Sequence, residues 1–472
     1  MKNKHFLLSI LLLLTLPALL PAIEHLTLSQ ARDLAIRNNY DIQIADQNAQ
    51  STHQEKKAAF TNFLPSVNAA GTYLRLNKQI KYETGDFYLP VTDESGNVII
   101  MTDENGVPIL DANGNYIISN YAWLPSQTLK FGEKDNYLGT VSVTQPLFTG
   151  GKVYENYQVA KYLDLIGSQK KNLTRQEVIC QVDEGYWRVI ALSEKVKLAK
   201  QYKATVENHL QDLQNYYEEG VITNNDLLKV KVKLNEAELD LLKANDGYSL
   251  SLMALNHLLG LPLQDQTILL DSLTVETETQ PVTSNLVEKA LSQRPEISIL
   301  KDTKNVSNSL VKISRSRYFP NLVLQGNYSW INPNPYNSFQ DEFGGDWSVA
   351  LVFEMELFHW NERGYELSAA KHARKAAELK LAQTEEQIKL QVSQEQYKLD
   401  EAAVKVKLTH QNVIQSKENM DNTADKFKEG MTTSSEVLDA QTLWQSAVSE
   451  FIDAKAEFKL QQTVMEKVLG NL

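Results

Sequence analysis

Residues 426–438 read KFKEGMTTSSEVL and residues 216–228 read YYEEGVITNNDLL, so the chain contains one short segment in two copies. Each copy has a glycine at the same place, Gly220 or Gly430, and lies between two long helical patterns. A glycine just past a helix end can adopt the left-handed conformation that closes the last turn without a steric penalty. Each copy is therefore predicted to be the tip of a helical hairpin.

The residues after each glycine predict the start of the next helix. Thr223 and Thr433 are predicted N-caps, and the third residue after each of them is acidic. With Glu436 the second tip has the sequence of a capping box, and with Asp226 the first tip has a near variant of it.

The duplication extends from the tips to the rest of the chain. An offset of 210 residues aligns 145–260 with 355–470 without a gap, and an offset of 255 aligns the segments that come before them. Each half therefore reads helix, strand, loop, strand, long helix, tip, long helix. The predicted boundaries are a first half at 23–261, a linker at 262–285 and a second half at 286–472, with tips at 217–224 and 427–434.

The absence of proline between Pro146 and Pro262 predicts very long helices. A single helix over 152–217 would span about 100 Å at 1.5 Å per residue, far more than a typical globular helix. After each tip, residues that begin with Leu227 and Val437 recur at an unbroken spacing of three and four. Large side chains dominate one row and small ones the other, which predicts left-handed coiled-coil packing.

Segments of about ten residues that alternate apolar and polar positions indicate strands of a membrane β-barrel. The clearest pair is a β-hairpin predicted over 321–355. A soluble hairpin resting on the helices is the alternative. Four strands per chain cannot close a sheet, and an open edge in lipid costs several kcal/mol per unpaired backbone group, so at least two chains must share one barrel. The predicted membrane-interface aromatics are Tyr73, Tyr137, Tyr328, Trp330 and Trp347.

The first half carries a long extra loop at 77–136, because the two alignment offsets differ by 45 residues. The loop contains TDESGNVII, TDENGVPIL and LDANGNYII, each with Asp-x-x-Gly before a short apolar segment. These pieces predict a run of tight hairpin turns. Calcium loops are the alternative, although the usual spacing of oxygen ligands is absent. The loop is expected to form a small β-structure outside the barrel.

Composition and the start of the chain limit the possible functions. The 472-residue chain has a net charge of −12 and opens with two lysines followed by an apolar run. Residues 1–22 are predicted to be a secretory signal peptide, with a membrane anchor as the alternative. An acidic secreted chain without basic clusters is a poor nucleic-acid binder. The single cysteine, Cys180, excludes a disulfide within one chain.

No pattern in the sequence predicts an enzyme, a cofactor or a metal site. A phosphate-binding loop, a dinucleotide fingerprint, an HExxH helix and cysteine-rich metal spacings are all missing from it. His209, His257, His372 and His410 fall singly on predicted helices, where packed or solvated histidines are the usual case.

Several motifs together resemble the TolC family of outer-membrane efflux proteins. They are the duplicated halves, the LPSV and FPNL strand entries, the QPLFTGGK strand exit, the KEGMTTSSEVLDAQ tip and the terminal LG of each half. The resemblance implies a mainly α fold with a membrane β-barrel, built as a homotrimer. Twelve strands would form one barrel in the lipid of the outer membrane of a Gram-negative bacterium. Twelve helices would continue it as an α-barrel across the periplasm.

The resemblance also implies the partners and the sites. The tips, with Gly220, Val221, Gly430 and Met431, would bind a periplasmic adaptor that links the channel to an inner-membrane pump of the RND or ABC type. Acids just after the second tip would line the periplasmic aperture.

By position these acids are Glu436 and Asp439. Lys229 is equivalent to Asp439 under the 210-residue offset, so Asp226 and Lys229 complete the predicted aperture. Lys229 is expected to pair with Asp439 of a neighbouring hairpin.

The expected function is an exit duct for small molecules in a tripartite efflux pump, without catalysis. Two alternatives remain: an exit duct for proteins in type I secretion, and a secreted trimeric coiled-coil scaffold without a pore.

Overall fold

The computed structural model describes residues 25–131, 133–274 and 285–472. The predicted signal peptide and part of the predicted linker therefore lie outside the described residues. The chain divides into two compact units. The first takes in the chain up to Ala59 with Tyr154–Ser314 and Gly364–Leu472, and the second takes in Phe60–Val153 and Arg315–Arg363.

The described elements follow the duplicated order expected from the sequence. In chain order they are β1 (His25–Leu26), α1 (Leu28–Asn38), α2 (Tyr40–Thr61), β2 (Ser66–Arg75), β3 (Ile80–Glu83), β4 (Phe87–Pro90), β5 (Tyr121–Leu124), β6 (Thr128–Phe131), β7 (Asp135–Phe148), α3 (Lys152–Glu218), α4 (Asn224–Leu259), β8 (Ile268–Leu269), α5 (Leu286–Gln293), α6 (Pro295–Ser316), β9 (Asn321–Asn332), β10 (Gly344–Glu354), α7 (Glu362–Lys428) and α8 (Ser434–Leu469).

The two long hairpins have the same dimensions. α3 and α7 each contain 67 residues, and α4 and α8 each contain 36. None of the four contains a proline that would interrupt its backbone hydrogen bonds, so each runs unbroken. The single helix predicted over 152–217 is thus confirmed. In the described residues, no helix combines the length and the apolar character needed to cross a membrane.

Side-chain contacts give the order of the long helices in the first unit. Lys203 of α3 lies 3.1 Å from Glu238 of α4, and Tyr202 of α3 lies 3.2 Å from the Thr442 hydroxyl of α8. In the second hairpin a 2.6 Å ion pair joins α7 to α8. α3 therefore contacts both α4 and α8, and α8 contacts both α3 and α7, while α4 also approaches α8 at a few residues. α4 and α7 are the outer helices of this series.

The core of the first unit follows the predicted apolar rows. On α8, Val437, Ala440, Trp444 and Ala447 are all buried. On α4, Leu227 begins the corresponding row and is buried as well. The prediction that these rows form the packing face is confirmed, because residues three and four apart lie on one side of a helix.

A buried carboxylate joins the two halves of the chain. Asp183 of α3 is completely buried and accepts hydrogen bonds from the Arg32 guanidinium of α1, with Nε at 2.7 Å, and from the Thr463 hydroxyl of α8 at 2.6 Å. The hydrogen bond to Asp183 raises the pKa of Arg32. A paired and hydrogen-bonded charge avoids the cost of leaving a buried carboxylate alone.

The second unit is built on one antiparallel sheet in the order β10-β9-β7-β2. The first hairpin (β2 and β7) and the second hairpin (β9 and β10) thus meet through β7 and β9. β2 and β10 are the edge strands. Beyond β2 and β7 the long first loop pairs as two short ribbons, β3 with β6 and β4 with β5.

The three Asp-x-x-Gly pieces of this loop are tight turns, as predicted. Gly96, Gly106 and Gly114 have φ values of +82°, +82° and +84°, which glycine adopts without strain. In each turn the aspartate carboxylate accepts backbone N–H groups; that of Asp93 accepts those of Ser95 and Asn97 at 2.9 Å. The carboxylates therefore hold the turns themselves.

Candidate functional site

The first tip is a helix end closed by a left-handed glycine. Gly220 has a φ of +76°. Its N–H donates to the Tyr217 carbonyl at 3.0 Å, and the Val221 N–H donates to the Tyr216 carbonyl at 2.9 Å, which together define a Schellman motif. A Cβ at Gly220 would meet no atom within 4 Å, so the backbone conformation, and not a lack of space, favours glycine.

The second tip repeats this geometry. Gly430 has a φ of +74°, and its N–H donates to the Phe427 carbonyl at 3.0 Å. The Met431 N–H donates to the Lys426 carbonyl at 2.8 Å. The prediction that both glycines take the left-handed conformation is confirmed.

Both predicted N-caps, Thr223 and Thr433, are confirmed, but the complete capping box forms at the first tip and not at the second. Asp226 forms the complete box: its N–H donates to the Thr223 hydroxyl oxygen at 3.4 Å, and the Thr223 N–H donates to its carboxylate at 3.4 Å. The Glu436 N–H donates to the Thr433 hydroxyl oxygen at 3.3 Å, but the Glu436 carboxylate accepts from the Thr432 hydroxyl. The predicted capping box at Glu436 is therefore wrong, because Thr432 competes for the carboxylate.

The predicted aperture residues lie on the first turns of α4 and α8. The Thr223 hydroxyl donates to Asp226 and lowers the pKa of that carboxyl. Lys229 lies 3.9 Å from Asp226, so these two charges pair within α4. Glu436 and Asp439 are exposed, and no ion pair reaches Asp439 within the part of the chain that the structure describes. Their role at an aperture stays a prediction.

The predicted docking residues form the apolar surface of the tips. Val221 is 68% exposed and Met431 is 72% exposed, each next to a turn glycine. Large apolar side chains this exposed at the apex of a helical hairpin are suited to contact with another protein. Adaptor docking at these residues stays a prediction.

A buried histidine joins the two hairpins close to their tips. His209 of α3 is 6% exposed and lies 2.9 Å from the Ser434 hydroxyl at the start of α8. Its ring packs edge-on against Phe427, with ring centroids 5.3 Å apart. Burial lowers the pKa of His209. This contact was not predicted, since the sequence does not show which helices of the two halves are neighbours.

The five predicted interface aromatics all lie at one end of the sheet, where β2 ends and β10 begins. Tyr73 pairs with Tyr137, and Tyr328 pairs with Trp347. The rings of Tyr73 and Tyr137 are 5.1 Å apart, and those of Tyr328 and Trp330 are 4.6 Å apart. The structure thus brings them together as one band. Their contact with lipid stays a prediction.

A second aromatic group lies where the chain leaves β10 for α7. Phe358 is 72% exposed and Trp360 is 82% exposed, with ring centroids 5.3 Å apart. Trp360 has a positive φ of +41°, as does Gly150, its equivalent in the first half, with a φ of +60°. A side chain at Gly150 would lie 2.7 Å from the Ser316 carbonyl oxygen. The signal in the sequence was the replacement of TGG by HWN in the second half.

One group of side chains in the described residues has the spacing of metal ligands: Glu356, His359 and Glu362. His359 contacts both carboxylates. Arg317 lies 3.5 Å from Glu356 and 3.4 Å from Glu362, and Arg363 lies 4.0 Å from Glu356. Two guanidinium groups already balance the two carboxylates, so the group has the charges of an ion-pair network.

Comparison with solved structures identifies the fold. The outer membrane channel CmeC of Campylobacter jejuni is similar with a TM-score of 0.73 and 16% identity, over 94% of this chain and 85% of that one. The open state of the MtrE outer membrane channel of Neisseria gonorrhoeae is similar with a TM-score of 0.70 and 16% identity, over 94% and 88%. The fold is that of TolC-like outer-membrane channels.

Comparison of sequences gives the family. Residues 101–261 and 286–471 match the family described as outer membrane efflux protein, and the chain belongs to that family. Outer membrane protein TolC of Vibrio cholerae is 21% identical over 367 residues, 75% of this chain and 84% of TolC. The proteases secretion protein PrtF of Dickeya chrysanthemi is 21% identical over 330 residues, 68% of this chain and 70% of PrtF.

The resemblance seen in the tip and strand motifs is thus confirmed. The chain is an outer-membrane channel protein of a Gram-negative bacterium that extends into the periplasm and serves as an exit duct in efflux or secretion. Its family consists of channels and not of enzymes.

Proposed function

We propose that three copies of this chain form the exit duct of a tripartite efflux pump that carries small molecules out of the cell. The signal peptide at 1–22 is removed, and the two halves, 23–261 and 286–472 with their linker at 262–285, contribute equivalent hairpins. Each copy supplies four strands and four long helices. Three copies then make a twelve-stranded barrel in the outer membrane and a twelve-helix barrel in the periplasm.

The observation that carries this proposal is a second apolar stripe on α4. It lies on the side opposite to the core-facing row, because its members are displaced by about half a helical turn. The intervening positions, Asn235 and Asp246, complete a spacing of three and four. We call it the outer stripe of α4. Its members, each at least 36% exposed, are Leu228, Val232, Leu239, Leu242, Leu250 and Met253.

The other outer helix has a stripe of the same kind. The outer stripe of α7 also faces away from the packing contacts with α8. Its members, each at least 55% exposed, are Leu379, Leu390, Tyr397, Val404 and Leu408. A helix that is apolar on two opposite sides packs between two neighbours. Within one chain, the contacts of α4 and α7 with the other long helices and with the short helices leave both stripes exposed. Another copy therefore supplies the neighbour that covers each stripe.

The sheet of the second unit also requires other copies of the chain. Its edge strands, β2 and β10, have ten and eleven residues, so the edge of one copy matches the opposite edge of the next in length. An open edge in lipid costs several kcal/mol for each unpaired backbone group, and closed barrels need about eight strands or more. At least two four-stranded sheets are needed to meet both requirements, and the proposed three copies meet them with twelve strands.

The tips support the proposed partners. A periplasmic adaptor would dock on Val221 and Met431 beside the turn glycines Gly220 and Gly430, and would link the duct to an inner-membrane pump of the RND or ABC type. Asp226, Lys229, Glu436 and Asp439 would form the charged mouth just inside the tips. The duct needs no cofactor, because the pump supplies the energy.

One relative favours a second candidate function. The name of the proteases secretion protein PrtF assigns that protein to protease secretion, so an exit duct for proteins with an ABC-type pump is the alternative. The same trimer serves either function, since the pump and the adaptor select the cargo.

Purified protein in planar bilayers tests the proposal. We expect native mass spectrometry to give a trimer and bilayers to show single-channel currents. A trimer that gives no current would instead support the scaffold without a pore. In cells, deletion of the chain should increase sensitivity to small toxic compounds and leave protein secretion unchanged. Loss of a secreted protein with normal tolerance to those compounds would support the secretion duct.

A further inference from the structure

The β4–β5 ribbon of the long first loop is apolar on both faces. Its strands read FYLP and YAWL and carry no charge. Directly paired residues share a face, and successive residues alternate between faces. The register pairs Phe87 with Leu124, Tyr88 with Trp123, Leu89 with Ala122 and Pro90 with Tyr121. We call the face of Phe87, Leu89, Ala122 and Leu124 the aliphatic face, and the face of Tyr88, Pro90, Tyr121 and Trp123 the aromatic face.

Both faces are exposed within one chain. On the aliphatic face Phe87 is 54% and Leu89 is 52% exposed, and on the aromatic face Tyr88 is 63% and Trp123 is 59% exposed. A large side chain can bury about 150–250 Å², and those of the ribbon are about half exposed, so each leaves roughly 100 Å² uncovered. Each face carries three large side chains and therefore exposes roughly 300 Å² of apolar surface. A patch of that size on one side is ordinary for a monomer, but two back to back on an isolated two-stranded ribbon are not.

The charges around the ribbon argue against a negatively charged partner. No lysine or arginine occurs between Lys81 and Lys130, and the same stretch contains seven acids. The acids lie beside the ribbon or in the three distal turns, where backbone N–H groups lower the pKa of Asp93 and Asp111 and keep them charged. Anionic lipid headgroups and acidic proteins are therefore repelled, while the ribbon itself offers only apolar contact.

The position of the ribbon brings it close to other copies of the chain. β3 follows β2 and β6 precedes β7, so the arm, residues 80–131, continues the first hairpin beyond the end of the sheet that carries the aromatic band. In the proposed trimer, on which this inference rests, three arms rise from one barrel mouth. A ring of three copies needs a heterologous contact, in which each copy presents one surface to one neighbour and a different surface to the other.

We propose that the three arms pack against one another in a closed collar at the outer mouth of the duct. The aliphatic face of each ribbon covers the aromatic face of the next. This arrangement buries both faces of every ribbon and leaves the acidic turns in solvent. In this arrangement the long loop stabilises the trimer at its outer end and narrows the exit. Since the turns repel one another, the collar tightens as salt is added.

Cross-linking between the two faces tests the collar. In a full-length Cys180→Ser background, Leu89→Cys marks the aliphatic face and Tyr121→Cys marks the aromatic face. The two positions point to opposite sides of one ribbon, so a short bismaleimide joins them only between copies. We expect a covalent trimer on denaturing gels from the double variant, and more of it at high salt. Either single variant should give at most a covalent dimer.

Further outcomes separate the collar from the trimer itself. If native mass spectrometry and bilayers still show a conducting trimer but no covalent trimer forms, the collar is overturned and the exit duct stands. If no trimer exists before cross-linking, the exit duct fails as well. A covalent dimer that forms from Leu89→Cys alone in as high a yield as the cross-linked product of the double variant would mean that like faces meet, which contradicts the heterologous ring.

A variant that removes the aromatic face tests whether the arms pack against one another or are only close together. Adding Tyr88→Thr and Trp123→Thr to the double-cysteine chain keeps residues that favour strands but removes the packing surface. The covalent trimer should then decrease markedly, while the non-covalent trimer and its conductance remain. An unchanged yield of covalent trimer would show that the arms are merely close together, and the collar would be rejected.

Discussion

Shortening two side chains of the outer stripe of α4 should weaken the trimer without unfolding the chain. Leu239 is 50% exposed and Leu242 is 56% exposed within one chain. The proposed contact with α7 of the next copy buries this exposed part of each side chain. Replacing both with alanine removes this contact from all three interfaces at once. Alanine keeps the helix, since it has the highest helix propensity.

The exposed fractions set the expected magnitude. Burying a whole leucine side chain contributes about 1.5–3 kcal/mol, so burying the exposed half contributes about 1 kcal/mol. Two side chains at three interfaces give about 6 kcal/mol per trimer, which is a large change in an association equilibrium.

The assay is the temperature at which the purified trimer separates into monomers, followed by native mass spectrometry, with circular dichroism as the measure of helix content. The matched control is Leu443→Ala, because Leu443 is 55% exposed on α8 and lies outside both outer stripes. We expect Leu239→Ala with Leu242→Ala to lower the dissociation temperature well below that of the control. Equal temperatures for the two proteins would refute the reasoning that α4 forms a contact between copies.

Three further predictions concern the tips. Glu436→Gln with Asp439→Asn should keep the trimer but lower its cation selectivity and raise its conductance in bilayers, because crowded acids at a mouth attract cations; unchanged selectivity would leave both as surface charges. Val221→Asp with Met431→Asp leaves the turn glycines in place and should abolish cross-linking to the adaptor and efflux in cells; survival of both would contradict docking at the tips. Burial holds the pKa of His209 below its unfolded value, so the unfolded chain binds the extra proton first and stability is lost as pH falls through about 6.5. His209→Gln should therefore lose less thermal stability between neutral and mildly acidic pH than the unaltered protein, and an equal loss would exclude this histidine as the source.

Much of the fold could be read from the sequence because it depends on local rules repeated along the chain. A glycine at Gly220 or Gly430 needs no tertiary contact to take a positive φ. The spacing of three and four that starts at Leu227 and Val437 identifies a buried face whatever it packs against. Two copies of each signal, aligned by one offset, also made the family recognisable from its motifs.

Competing local partners caused the one clear error. Both Thr432 and Thr433 stand within reach of Glu436, and the sequence does not show which of them its carboxylate contacts. The structure pairs it with Thr432, while the shorter Asp226 closes its own box with Thr223.

The sequence by itself determined the periodic features of this protein: the long helices, the tips, the alternating strands and the turns of the first loop. Only the tertiary structure decided which surfaces remain for other copies. A spacing of three and four shows that a helix face is apolar, but not whether the chain's own helices cover it, and the outer stripes of α4 and α7 appear only when α3 and α8 occupy the space between them. The contact between His209 and Ser434 was also decided by the tertiary structure, since contacts between residues 225 positions apart follow from packing and not from local spacing.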